Sequence, residues 1–409
     1  MKNSTLIPLM LLCALAFSIP AYPCTSVILS GKVTSDGRPL MWKNRDTGAK
    51  ENLTRHFPAV DGHYSYVGIV DASSSSTSIW IGTNSEGFSI MNTLSYNIKD
   101  IEDESKSNNN GRVMTMALQR CRTVQDFQNF LDTLPRPLNV GTNYGVIDAQ
   151  GNGAYFEVNF TNYYKFDVND PAVAPDGYLV RSNFSFNGRP IEEGRGQIRY
   201  QEAERQVRMA LKKKDATPDF ILRNMARDYC NPALGTDCRS RSYTGEWAID
   251  QDIIVRRRTT CSVVIQGVRP GEDPQLTTMW TIVGYPGTTV AMPVWEVGGE
   301  EGLPAMLKMD EEGHSPLAHH GYLLKEKVYS WDMDKVEENR TRYFRWSMLS
   351  NKEGTGYIQQ TLAVEDEVLA PYRKALKRWR KGGKVDLEEL GSLNKAADDR
   401  LTRFIREVE

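Results

Sequence analysis

Long apolar runs are missing from this chain once its first two dozen residues are passed, so a helical membrane span of about 20 consecutive apolar residues is excluded there. An excess of either charge is missing as well: 50 Lys+Arg stand against 52 Asp+Glu, interspersed, for a net charge of −2. That leaves no basic footprint for nucleic acid and no polybasic face for an anionic membrane. Histidines number only five, His56, His63, His314, His319 and His320, and none has a setting that suggests a Cys–His catalytic pair. The last three lack a carboxylate or cysteine at ligand spacing along the chain and read as a loop followed by a helix start. No metal and no cofactor are therefore expected. Internal repeats are absent and the one low-complexity tract is Ser73 to Ser76, which excludes a solenoid or a disordered chain.

What is present begins with a targeting pattern. Lys2 supplies a positive start, residues 6–17 are apolar but for Pro8, and residues 18–23 turn to small and turn-forming types. This is the pattern of a secretory signal peptide, too short to span a bilayer. Cleavage after Ser18 or after Ala21 would leave Cys24 a few residues inside the chain. Residues 1–23 are accordingly expected to comprise a signal peptide and a short propeptide that Cys24 removes by attacking the preceding carbonyl. The protein is expected to be exported, periplasmic or extracellular, without stable membrane insertion. Pro23, directly before Cys24, speaks against a lipoprotein signal.

Six cysteines become five when Cys13 leaves with the signal, an odd number for an oxidising compartment. Cys230 and Cys238 flank a Pro/Gly-containing loop and are candidates for a short disulfide that spacing alone does not fix. Cys121 and Cys261 lie in apolar contexts and read as buried, inert thiols. Cys24 is left without a natural partner.

Strand-like runs fall at 25–29, 39–42, 66–70, 77–82 and 87–92, followed by helices at 112–120 and 126–134 with Thr123 as an N-cap. Strands resume at 143–148, 153–158 and 178–183, helices at 197–213 and from 218 to 229, and strands again at 261–266, 279–283 and 289–294. The order predicts an α+β fold over residues 24–309, two layers of sheet covered by helices. Residues 310–409 form a helical extension with long patterns at 358–380 and 386–408. Leu387, Leu390, Leu393, Ala396, Leu401 and Phe404 make one buried face. Packing on the parent domain is the expected use of that face; a homo-oligomer contact is the alternative.

The chemistry centres on Cys24. As the first residue of a mature chain it would carry a thiol and an α-amine together, groups that titrate near ~8.5 and ~8, so that the amine serves as base to the thiol without any histidine. Residues 24–29 turn through Asp36 and Gly37 and return as Leu40 to Asp46, a hairpin that brings Lys43 and Asp46 beside the first residue. Opposite charge there would hold the amine and favour the thiolate.

Cys24–Thr25, Asp36–Gly37 and Lys43–Asn44–Arg45–Asp46 resemble the opening of the choloylglycine hydrolase superfamily of N-terminal nucleophile (Ntn) hydrolases, which includes penicillin V acylases, acid ceramidase-like amidases and isopenicillin N acyltransferases. Lys43 stands where that group usually has arginine, and lysine keeps the charge but loses the bidentate geometry. Arg45, at the variable position, is the alternative source of a guanidinium. The likeness continues through Asn84 to Phe88 into Met91–Asn92–Thr93, through Asn143 to Asp148 with Gly151 and Glu157, and through Val180 to Phe184 and Arg199–Tyr200. It spans Cys24 to Trp295 and leaves the helical tail outside.

The resemblance implies a four-layer αββα sandwich of two antiparallel sheets. It also implies acyl transfer with Cys24 as nucleophile. Asn183 Nδ2 and a backbone N–H near Asn92 would stabilise the oxyanion, Asp46 and Lys43 would position the amine, and Arg199 would be a site arginine. Plainer readings stand beside these. Asn183–Phe184–Ser185 is also a glycosylation acceptor pattern, as are the settings of Asn52, Asn159 and Asn339. Arg199 lies on a charged helix and reads as solvated or structural, and Arg256–Arg257–Arg258 reads as a solvated run. The expected function is an exported amidase that hydrolyses a linear, non-peptide C–N bond of an N-acylated small molecule. An acyltransferase and a catalytically silent binding protein are the alternatives.

Overall fold

A computed structural model describes residues 24–73, 77–100, 109–240, 242–329 and 343–408; the expected signal and propeptide, and Asn339, lie outside these residues. Strands β1 (Thr25–Leu29) and β2 (Leu40–Asp46) form the opening hairpin, and Gly37 adopts φ +76° in its turn. A meander follows: β3 (Asn52–Phe57), β4 (Tyr66–Asp71), β5 (Ile81–Asn84) and β6 (Ser89–Leu94). Helices α1 (Asn110–Arg120) and α2 (Val124–Thr133) interrupt it before β7 (Thr142–Ile147), β8 (Gly153–Val158) and β9 (Tyr163–Asp167). The chain then passes through β10 (Tyr178–Arg181), α3 (Gln197–Lys212) and α4 (Pro218–Phe220), which continues as a wider helical turn to Met225. The short pair β11 (Cys230–Asn231) and β12 (Thr236–Asp237) and the short strand β13 (Trp247–Ile249) precede β14 (Thr259–Gln266), β15 (Thr278–Val283) and β16 (Met292–Val294). The last third holds α5 (Pro316–Val328), β17 (Tyr343–Arg345), α6 (Trp346–Leu349), α7 (Tyr357–Gly382) and α8 (Leu387–Val408).

These strands build two antiparallel sheets. One runs β10-β1-β2-β14-β15-β16 and the other β3 through β9 in chain order. Apolar side chains of both inner faces, among them Ile28, Met41, Met91, Ile147, Tyr155 and Val263, share one core. Ser26 and Tyr155 hydrogen-bond across it at 2.7 Å. On the outer face of the seven-stranded sheet, α1 and α2 pack Met114, Leu118, Phe127 and Leu131 against Ile90, Tyr144, Val146 and Phe156. Thr123 caps α2 through the Asp126 N–H at 3.0 Å, and Asp126 reciprocates to the Thr123 N–H. Helix α3 covers the outer face of the six-stranded sheet beside β1 and β10. The layers are therefore α/β/β/α, as the sequence implies.

Several boundaries differ from the sequence expectation. β3 and β9 were not anticipated: β3 alternates weakly, and β9 is a half-exposed edge whose tyrosines and lysine give no clear period. The strand expected from residue 77 starts only at Ile81, and the helix expected to reach residue 229 ends near Met225. The five described cysteines, Cys24, Cys121, Cys230, Cys238 and Cys261, are free thiols, so the Cys230–Cys238 bridge is not formed. Across the β11–β12 pair Cys230 opposes Asp237 rather than Cys238.

The C-terminal helices lie on the same core. Trp379 of α7 meets Trp295 edge-on at 5.1 Å, and Leu390, Leu401 and Phe404 of α8 are buried with Ala397. Of the rest of the expected face, Leu393 is half-buried, whereas Leu387 and Ala396 are exposed, Leu387 in the first turn and Ala396 on the side turned to solvent. Among the described residues no helix is long and apolar enough to cross a membrane.

Candidate active site

β1 pairs with β2 so that Thr25 opposes Asn44 and Ser26 opposes Lys43, which puts Cys24 at the strand start within reach of the distal end of β2. Cys24 is buried and borders a cavity of about 360 Å³ with Lys43, Arg45, Asp46, Trp80, Asn92 and Asn110. A cleft of that size suits a small molecule. β5 reaches β6 only as far as Met91, and the stretch of β6 beyond it contributes Asn92 and Leu94 to the wall.

Each sequence-predicted residue lies at or directly behind this cavity. Lys43 is 1% exposed; its ammonium donates to Trp80 O and to Asn92 Oδ1, both at 2.9 Å. Burial pushes Lys43 down from 10.5 to about 8, against the opposing pull of Cys24. Asn92 therefore contributes its side-chain carbonyl to the lysine, an arrangement that the expected backbone role had not included; its Nδ2 donates to Thr142 Oγ1 at 3.2 Å. Arg45 does not replace Lys43. Its guanidinium is tied to Asn52 and to Asp71 (2.8 Å) and lies 4.6 Å over the Trp80 ring.

Asp46 is 3% exposed and fully engaged. Arg256 Nε and a terminal nitrogen both donate to its Oδ2 at 2.8 Å, and Thr259 Oγ1 donates to Oδ1 at 2.7 Å. Arg256 is thus no solvated member of a charge run. It buttresses the carboxylate beside Cys24, and its position immediately ahead of a strand was the one sequence signal for that.

Arg199 is not the solvated residue that its charged helix suggested, and its bonds are those of a structural clamp. It is 1% exposed, and one terminal nitrogen donates to Cys24 O (2.6 Å) and Thr25 Oγ1 (2.8 Å) while the other donates to Asn183 Oδ1 (2.8 Å). Gly196, φ +87°, lets α3 start against this guanidinium; a Cβ there would collide with it. The bond from Arg199 fixes the Asn183 amide so that Nδ2 donates to Leu94 O at 2.7 Å, leaving one of its two N–H groups for an oxyanion. Asn183 is wholly buried. The strand end that carries it is anchored by Arg181, which donates to the buried Glu157 at 2.9 Å.

Tyr96 was missed by sequence reasoning. Burial and the neighbouring Cys24 push its phenol up to about 12, so it is a neutral donor at working pH, and its hydroxyl has no hydrogen-bond partner among the described residues. Away from this cavity, the expectation that His314 and His319 lack a carboxylate holds along the chain and fails in space, because Glu51 reaches both.

The electrostatics give a first testable expectation. Lys43 is a cation below about pH 8 and neutral above it, so an alkaline decline in kcat/KM is expected near pH 8. Lys43→Arg, which cannot deprotonate in this range, should move that decline above about pH 10. Superimposable pH profiles would remove the lysine charge from the reaction. The same shift penalises the folded state below about pH 8, where the unfolded chain and the folded chain are both protonated; the penalty is relieved as pH rises toward 10.5.

Comparison with known proteins adds the following. The sequence signature of the acyl-coenzyme A:6-aminopenicillanic acid acyl-transferase family matches residues 33–245, just over half of the chain and beginning after Cys24. No curated protein sequence matches. Among solved structures, an N-acylethanolamine-hydrolyzing acid amidase ortholog from Caenorhabditis elegans is 14% identical, with TM-score 0.40 and coverage of 59% of this chain and 92% of that one. A mutant of conjugated bile acid hydrolase from Clostridium perfringens is 12% identical, TM-score 0.40, covering 66% and 92%. Penicillin V acylase from Agrobacterium tumefaciens is 13% identical, TM-score 0.39, covering 66% and 85%.

Proposed function

The chain belongs to the acyl-coenzyme A:6-aminopenicillanic acid acyl-transferase family, and with it to the Ntn hydrolases of the choloylglycine hydrolase and penicillin acylase type; from that premise we propose that it is an exported, cysteine-dependent amidase. It hydrolyses a linear, non-peptide C–N amide bond of an N-acylated small molecule. The observation that carries the reading is the lock on Cys24: Arg199 holds its carbonyl, Thr25 and Asn183 together at the edge of a small cavity lined by Lys43, Asp46 and Asn92.

Removal of residues 1–23 frees the α-amine of Cys24. The amine takes the thiol proton as Sγ attacks the amide carbonyl, and returns it to the departing amine nitrogen as the C–N bond breaks. Asn183 Nδ2 supplies an oxyanion donor, a contribution worth roughly 3–4 kcal/mol, and Tyr96 is a second candidate. Water, deprotonated by the same amine, cleaves the thioester to a carboxylic acid and restores the thiol. An acceptor amine in place of water would make the same site an acyltransferase, a reading that the family description favours.

N-terminal sequencing and intact mass of the exported protein test the first step, and incubation with a panel of N-acyl amides the second. A chain that begins at Cys24 and carries a trapped acyl group on it is expected. An active chain that begins at Ile19 or Tyr22 would remove the proposed base. Addition of amines then separates aminolysis from hydrolysis. A correctly trimmed chain that never acylates would be the silent binding protein.

A further inference from the structure

Three donor side chains from two distant parts of the chain converge beside the turn that joins β2 to β3. Glu51 is 9% exposed, and its backbone carbonyl accepts the Ala72 N–H at 3.1 Å. Its two carboxylate oxygens serve two imidazoles: His314 Nδ1 lies 3.0 Å from Oε2 and His319 Nδ1 lies 2.8 Å from Oε1. The two rings stand 4.1 Å apart, and one donor atom from each of the three residues lies within 4.8 Å of the others.

We propose that Glu51, His314 and His319 bind a divalent transition-metal ion of the zinc class, which clamps the β2–β3 turn to the start of α5. Two imidazoles and one carboxylate are a ligand set that suits zinc and leaves a position open to water. The set is wrong for calcium or magnesium, which take oxygen ligands throughout. Donors about 2.1 Å from a tetrahedral ion stand about 3.4 Å apart. The two N···O contacts, made to different carboxylate oxygens, therefore open by about half an ångström, while the widest separation of the three donors, at most 4.8 Å, closes by a rotamer adjustment of the part-exposed imidazoles. The imidazoles, 39% and 37% exposed, leave an outer side from which an ion and its water can approach. Each ring has only to carry its proton on Nε2 in place of Nδ1.

The supports are already rigid. The His314 N–H donates to Asp310 Oδ1 at 2.8 Å and the Asp310 N–H returns to His314 O at 2.7 Å. His319 sits in the first turn of α5, where its N–H donates to Ser315 O at 2.8 Å. The consequence for the enzyme lies in the chain just before Glu51, since Thr47 and Ala49 line the cavity of Cys24. An ion on Glu51 fixes one wall of that cavity to the C-terminal helices.

A carboxylate hydrogen-bonded to two imidazoles without any metal is the competing arrangement, and metal titration separates the two. The mature protein, stripped with a chelator, is dialysed against micromolar free Zn²⁺ or Co²⁺ and its metal content and cobalt spectrum are measured. The expected result is one ion per chain, a cobalt spectrum free of thiolate charge transfer, and unchanged uptake in Cys24→Ser. His319→Ala and Glu51→Gln, checked for native circular dichroism, should each weaken binding roughly tenfold or more and abolish the metal-dependent rise in Tm. No stoichiometric uptake, thiolate bands, or uptake that survives both substitutions would overturn the site.

Discussion

Cys24→Ala is expected to leave no measurable acyl transfer, a loss of roughly four to six orders of magnitude, the scale seen when a nucleophile is removed from an acyl-transfer site. Among the described residues no other thiol can take over. Cys121, Cys230, Cys238 and Cys261 are buried, and burial pushes each of them up to about 12, so none supplies a thiolate near neutral pH. Because the same sulfur is proposed to cut the bond after Pro23, the alanine chain should also keep its propeptide residues, while Cys24→Ser trims slowly. Intact mass reads processing and a substrate assay reads turnover. An alanine variant trimmed to residue 24 would assign the cut to another protease. An alanine variant that still turns over would place the nucleophile elsewhere.

What could be read along the chain and what could not divide along a physical line. The β1–β2 hairpin was legible because its pattern is local: two apolar runs, a turn, and charged residues at the returning end. Asn183 and Arg199 came from motif likeness, yet only the fold shows Arg199 facing inward, because a helix that begins Gln197–Ile198–Arg199–Tyr200 looks solvated until β1 and β10 are laid beside it. The contact of Arg256 and Thr259 with Asp46 could not be read along the chain, although the place of Arg256 ahead of a strand was a faint signal. The two meet Asp46 across more than 200 residues, through the pairing of β14 with β2. Glu51 with His314 and His319 is the same case, since ligand spacing along a sequence is informative only when the ligands share an element. Non-local pairs carry no period, and single-chain reasoning has nothing to detect them with.

The boundary drawn near residue 310 from composition is open to a thermodynamic test. Glu365 of α7 is 1% exposed and pairs with the wholly buried Arg227, whose terminal nitrogens donate to Oε1 at 3.1 Å and to Oε2 at 2.6 Å. Glu365 Oε2 also accepts the Ala291 N–H at 2.7 Å, and Arg227 reaches the carbonyls of Leu222, Pro286 and Thr289. One carboxylate thus joins the helical tail to the segment after α4 and to the loop ahead of β16. Glu365→Ala should cost about 3–5 kcal/mol, because it strands a guanidinium where no water can reach it. Replacing both partners by apolar residues, Arg227→Met with Glu365→Leu, should recover much of that loss, since the pair's desolvation cost disappears with it. Urea unfolding followed by two probes, tryptophan fluorescence and turnover, distinguishes the outcomes. A single coincident transition that shifts as a whole is expected, with kcat of the folded variant unchanged. An early, separate loss of the tail with the catalytic transition left in place would make residues 310–409 an appendage that the Arg227–Glu365 pair does not couple to the sandwich.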